Sequence, residues 1–208
     1  MPVSIKKFIH QIAGKKAPGP STTFTVFHMF YALELIAQKP LGRNKLAQKL
    51  AVGDGAVRTI ISRLKEADLI ETSKQGCYLT KKGLDVWKQF EEIFPKQMAL
   101  PKSDLSSSEF NYAFLVKNCG QKIKSGINQR DAAIFAGARN ALVIVYRNGH
   151  LCIESVSSHI EEDYPIVAGQ IIDELAPKEN DVIIVAGADS LLRAKRGAFA
   201  ASWSLVSF

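Results

Sequence analysis

The sequence predicts two domains of the α+β or α/β class, an N-terminal winged helix-turn-helix and a C-terminal small mixed-sheet domain with flanking helices. Three observations carry this. The run Leu41–Thr80, LGRNKLAQKLAVGDGAVRTIISRLKEADLIETSKQGCYLT, reads as two short amphipathic helices around a glycine-bearing turn, then two strands joined by a polar, lysine-bearing tip. The second half alternates apolar strand-like runs with helical ones. Charge divides the same way. Residues 1–95 hold 15 Lys/Arg against 8 Asp/Glu and residues 96–208 hold 12 of each, so the whole net charge of +7 belongs to the first half. That excess points to a polyanionic partner for the helix-turn-helix half.

Taken in order, the opening SIKKFIHQIAGKKAPGPST suits a short basic helix leading into a flexible stretch at Pro18, Gly19 and Pro20. Thr22 or Thr23 can cap the next helix, TFTVFHMFYALELIAQ, which is apolar around most of its circumference. So wide an apolar surface exceeds what one small winged domain obviously covers. Phe24–Gln38, with Trp87 and Phe94, is therefore expected to meet a second subunit, while His28 reads as an interior residue. Pro40 stops this helix, and the following one, near Arg43–Ala51, places Leu46, Ala47 and Leu50 on one side. After the turn VGDG, Asp54 is expected to cap Gly55–Glu66. Val57, Ile60, Ile61 and Leu64 define the buried stripe, Thr59, Ser62, Arg63 and Glu66 point away from it, and Arg58 and Lys65 flank it.

Leu69–Ser73 and Cys77–Thr80 are expected to pair as a hairpin, the wing, around Lys74, Gln75 and Gly76. A closing helix from Lys81 carries Leu84, Trp87, Phe90 and Phe94 on one stripe and ends at Pro95. The first domain thus spans residues 1–95. Residues 96–108, rich in serine and following a proline, read as a linker, and residues 109–208 as the second domain.

In that domain strands are expected at Phe110–Val116, Leu142–Tyr146, Leu151–Val156 and Val182–Ala186, with helices at Asn128–Ala138, Asp163–Leu175 and Ser190–Val206. Asn148-Gly149 suits a tight hairpin turn, Asn128 and Asp131 a capping box, and Pro165 the first turn of a helix.

The residue chemistry supports binding more than catalysis. Arg63 is expected at a base edge, where a guanidinium can bind guanine bidentately, with Thr59 and Ser62 near a base or phosphate. Arg43, Lys45, Arg58 and Lys74 are expected to contact the phosphate backbone and position the duplex. In the second domain the Gly187–Ser190 junction, with Arg130, Arg193 or Arg196 nearby, could hold an anion at a helix start, although Asp189 opposes this and simple capping explains the same residues. His159 beside Glu161, Glu162 and Asp163 reads as a polar loop with carboxylates at a helix start. Cys77, Cys119 and Cys152 have neither disulfide nor zinc spacing. There is no phosphate-cradling loop with lysine, no nucleophile elbow and no paired metal ligands, so no catalytic activity, cofactor or metal is expected. Apolar runs are too short to span a membrane, and Lys6, Lys7 and His10 interrupt any secretory signal, which predicts an intracellular, cytoplasmic protein.

Two segments also carry a resemblance. Gly42–Ile70, GRNKLAQKLAVGDGAVRTIISRLKEADLI, is similar to many regulator N-termini, including the winged domain of the bacterial central glycolytic gene regulators. Asn128–Leu151, NQRDAAIFAGARNALVIVYRNGHL, is the narrower signal, especially Gln129-Arg130-Asp131 followed by Gly137-Ala138. Together they resemble archaeal winged-helix transcription regulators whose C-terminal part is a domain of unknown function, the DUF4443 family. Phe135 departs from the pattern, a bulky residue where a polar one is expected. The resemblance implies a DNA-binding regulator and supplies no effector or catalytic residue. The leading expectation is a homodimer reading double-stranded DNA, with a small-molecule effector acting at the C-terminal domain. The alternatives are a protein-interaction adaptor and a nucleotide-binding or nucleic-acid-associated enzyme.

Overall fold

The computed structural model describes residues 4–14, 22–154 and 156–207, and it divides into two compact units, Met1–Phe90 with Ser207–Phe208, and Glu91–Val206. The expected flexible stretch at Pro18–Pro20 lies outside the described residues.

The first unit is built on its most apolar helix. α1 (Ile5–Ala13) and α3 (Arg43–Leu50) pack against α2 (Val26–Gln38), and α4 (Asp54–Glu66) closes the group. β1 (Ile70–Ser73) and β2 (Gly76–Leu79) form the wing, followed by α5 (Lys81–Ile93). Lys74 and Gln75 make the turn between β1 and β2. Leu41 adds a third short rung, since its N–H and C=O exchange hydrogen bonds with Cys77 at 3.1 and 2.8 Å. Phe30, Leu33, Leu46, Leu50, Val57, Ile60, Leu64 and Phe90 are buried, and Phe30 meets Phe90 edge-on at 5.1 Å and lies 5.8 Å from Trp87. α2 thus finds its cover inside the chain, with Phe27, Met29, Phe30, Ala32, Leu33, Leu35 and Ile36 all buried. This removes the reason for placing a dimer interface on Phe24–Gln38 and Trp87. Phe94 belongs to the second unit.

Helix starts differ in detail from expectation. Thr25, not Thr22 or Thr23, caps α2, and its N–H donates to Nδ1 of the buried His28 at 3.0 Å. Gly53, not Asp54, is the N-cap of α4 and Asp54 is the first helical residue, because its carboxylate is taken by two arginines.

The second unit is a five-stranded sheet of order β3 (Gln97–Leu100), β4 (Phe110–Val116), β7 (Val182–Ala188), β5 (Asn140–Arg147) and β6 (His150–Cys152). Every neighbouring pair is antiparallel. β4 and β5, joined through α6 (Ile127–Phe135), run the same way, and β7 lies between them as in a split βαβ unit. The presumed linker is part of this sheet. Gln97–Leu100 pairs with β4, and the prolines at 95 and 101 bracket an edge strand, where one missing N–H is tolerated.

Helices cover both faces. α6 and α9 (Leu191–Leu205) pack on one side, where Phe94, Phe114, Phe199 and Trp203 form an aromatic cluster. On the other, Ala113, Leu115, Ile183 and Val185 meet Ile160 of α7 (Ile160–Asp163) and Val167, Ile171 and Leu175 of α8 (Pro165–Leu175). Covered on both faces, β7 is buried at all seven residues, which explains its unbroken run VIIVAGA. The helix expected at Asp163–Leu175 starts at Pro165 instead, and a separate short helix, α7, precedes it, with the non-helical Tyr164 between them. α6 starts at a Gly126 cap without the Asn128–Asp131 box. β6 stops at Cys152, short of the expected end at Val156, and Ile153 pairs instead with Ser157 in an isolated bridge.

Candidate nucleic-acid interface

Helix periodicity and the wing hairpin together decide what the first unit presents to a partner. Val57, Ile60 and Leu64 fix the buried side of α4, leaving Arg58, Ser62, Lys65 and Glu66 exposed. Thr59 is half-buried and its hydroxyl donates to the Gly55 carbonyl at 3.0 Å, while Ser62 donates to Glu66 at 2.9 Å. Lys65 Nζ donates to Thr72 Oγ1 at 3.3 Å and ties the helix to the wing. Lys74 stands exposed at the wing turn.

Asp54 gathers two of the expected phosphate contacts. One carboxylate oxygen lies 3.2 Å from Arg43 Nε and the other 2.6 Å from an Arg58 terminal nitrogen. All three side chains are about half exposed, so these pairs contribute little stability. Their effect is to hold the Arg43 and Arg58 guanidinium groups side by side on the exposed surface. A crevice between the start of α3 and the wing tip is lined by Lys39, Arg43, Asn44, Lys45 and Gln75. α3 has no side-chain cap and no acidic residue in its first turn. Its leading N–H groups and the positive end of its dipole therefore suit an anion. Sequence reasoning missed Lys39, Asn44 and Gln75. The signal was present in the bare Gly42 ahead of an acid-free first turn.

Arg63 is the main correction. Rather than reaching outward, it is buried at 7% exposure. Its guanidinium donates to the carbonyls of Ile12, Ala13 and Gly14 at 3.1, 2.8 and 2.6 Å and lies 5.0 Å from the Phe24 ring centre. It closes the C-terminal end of α1, whose last carbonyls have no partner within the helix. Ile61, expected in the stripe, is only half-buried; α1 packing on α4 rotates the covered face toward Arg63.

The expected anion site at Gly187–Ser190 does not form. Gly187 lies inside β7, where a Cβ would come within 2.5 Å of the Ser108 and Asn140 side chains. Close packing of those two side chains accounts for the glycine there. Asp189 takes Arg193 at 2.6 Å, and Ser190 caps α9 by accepting from the Arg193 N–H at 3.4 Å. Arg196 donates to the Ala136 carbonyl at 2.6 Å. The exposed Arg130 lines a separate shallow cleft with Ser125 and Val143. Burial pushes the thiols of Cys77, Cys119 and Cys152 up.

A helix cluster with an antiparallel wing, followed by a separate helix-flanked sheet, defines the winged-helix class of architecture, which can bind DNA. Within that class, residues 107–205 match the domain of unknown function DUF4443 and residues 30–85 match the PH0730-like N-terminal domain. The chain is similar in structure to "Hypothetical protein PH0730 from Pyrococcus horikoshii OT3", with 27% identity, a TM-score of 0.73, and coverage of 88% of this chain and 92% of that one. No curated protein matches it. No described helix is long and apolar enough to cross a membrane.

Proposed function

We propose that the chain is an intracellular, non-catalytic, sequence-specific DNA-binding transcription regulator that acts as a homodimer. The observation that carries this reading is the shared exposed face of α4, the wing tip and the uncapped start of α3, which gathers Arg58, Ser62, Lys74, Lys39, Arg43 and Lys45. A protein reading duplex DNA needs a side chain for base edges and cations for phosphates on one surface. With Arg63 buried, Arg58 takes the base-reading role. The second unit is the regulatory or dimerisation module, and control by a small molecule, where it operates, acts there.

Selection of duplexes from a random pool, followed by titration across a salt series, tests the reading. Arg58→Ala is expected to weaken the selected duplex by about 1–3 kcal/mol and relax preference at one base pair. Lys74→Ala is expected to weaken selected and random duplexes alike and reduce the salt slope by roughly one phosphate contact. Failure to bind any duplex at low salt overturns the proposal and favours the adaptor.

The second copy is assigned to α6. Ile127, Ile134 and the 93% exposed Phe135 fall within one stripe of that helix, an apolar surface that one chain leaves uncovered. Sedimentation of the full chain is expected to show a dimer, and Phe135→Glu a monomer with unchanged melting of each unit. A Phe135→Glu protein that still sediments as a dimer removes α6 from the interface.

A further inference from the structure

At the outer edge of the second sheet the fold assembles three side chains that the sequence keeps apart. His150 opens β6 directly after the Asn148-Gly149 turn. The chain then reverses through the Ile153–Ser157 bridge, which returns His159, the N-cap of α7, to the same edge. Glu161 follows in the first turn of α7. The His150 and His159 rings meet edge to face with centres 4.3 Å apart, and Glu161 Oε1 lies 4.0 Å from His150 Nδ1. One ligand-capable atom from each of the three lies within 4.8 Å of the others.

From these positions we propose that His150, His159 and Glu161 form a binding site for a first-row divalent transition metal of the zinc type. The donor set, two imidazole nitrogens and one carboxylate oxygen, matches that class and not calcium or magnesium, which take oxygen ligands. Metal–nitrogen and metal–oxygen bonds of about 2.0–2.2 Å require the three donors to draw together slightly, a movement that side-chain rotation supplies.

Two features separate this cluster from a solvated polar loop. Glu161 Oε1 accepts the Leu151 N–H at 2.7 Å, which fixes the carboxylate against β6 in the way an outer partner orients a metal ligand. Its other oxygen is buried without a hydrogen-bond partner among the described residues, a cost that a cation would offset. The site opens onto a cleft lined by His150, Cys152, Ser157, Ser158 and His159, so water completes the coordination. This proposal is independent of DNA binding.

The test uses the full chain, stripped with chelator and titrated with Zn2+ against a chromophoric competitor. One equivalent is expected to bind. His150→Ala, His159→Ala and Glu161→Gln are each expected to weaken it at least about tenfold, with His10→Ala and Cys152→Ser unchanged. Co2+ in place of Zn2+ is expected to give visible d–d absorption that His150→Ala abolishes. His150 is exposed, so its variant keeps the metal-free fold, checked by circular dichroism, and remains decisive even if Glu161→Gln misfolds. Equal Zn2+ affinity in wild type and His150→Ala, loss confined to Cys152→Ser, or no saturable binding by the wild type at micromolar Zn2+ each overturns the proposal.

Discussion

Arg63→Ala is expected to destabilise the N-terminal unit by about 3 kcal/mol, the range for removing a buried charged donor from several acceptors. The guanidinium satisfies three carbonyls at the end of α1, namely Ile12, Ala13 and Gly14. Alanine leaves these carbonyls without that donor and removes a cation from the negative end of the helix dipole. It also takes away the group beside the Phe24 ring. Trp87 lies in the first unit and Trp203 in the second, so separate Trp→Phe backgrounds report each unit in a denaturant melt. The loss should appear in the Trp87 signal and leave the Trp203 signal nearly unchanged. Arg63→Lys should recover only part of it, since an ammonium cannot present the same planar set of donors. A variant that melts within about 0.5 kcal/mol of wild type, the usual range for surface changes, yet loses sequence preference would return Arg63 to the DNA surface.

Gly76→Val is expected to cost about 3 kcal/mol or more, combining left-handed backbone strain with overpacking. Gly76 has φ +124° and sits where β2 meets Leu41, and a Cβ there would overlap the Leu41 carbonyl. The Leu41 main chain exchanges two hydrogen bonds with Cys77 and cannot retreat without breaking them. Displacement of that rung would carry off both the wing and the start of α3, which share the crevice lined by Lys39, Arg43 and Gln75. Stability and duplex affinity should therefore fall together, whereas Lys74→Ala lowers affinity alone. Melting of Gly76→Val at the wild-type denaturant midpoint would show that the wing does not depend on this close approach.

The division between what could be read and what could not follows the range of the interactions. Val57, Ile60 and Leu64 mark α4 because an amphipathic helix repeats its buried residues every three or four positions. Lys74-Gln75 between two short β-rich runs marks the wing, Asn148-Gly149 the second hairpin, and Pro165 a helix start, each through backbone preferences that act over a few residues. Even the depth of β7 is written in VIIVAGA. By itself, then, the sequence determined the winged N-terminal helices, the helix-flanked strands behind them, and the confinement of the excess positive charge to the first half.

Tertiary structure decided the rest. Gln97–Leu100 is only four residues long, in a short stretch bracketed by Pro95 and Pro101, and becomes a strand because β4 offers a free edge. Gly187 resembles a turn glycine until Ser108 and Asn140 crowd it from outside its own strand. Helical periodicity turns Arg63 away from the α4 stripe, yet it is buried, because the carbonyls that take its guanidinium come from α1, about 50 residues earlier in the chain. His150 joins His159 and Glu161 only after the chain has reversed at the edge of the sheet. Local preferences set which elements form. The partners that satisfy a buried charge, fill an edge or converge on a cation come from distant segments, and no periodicity or turn residue encodes which of them will meet.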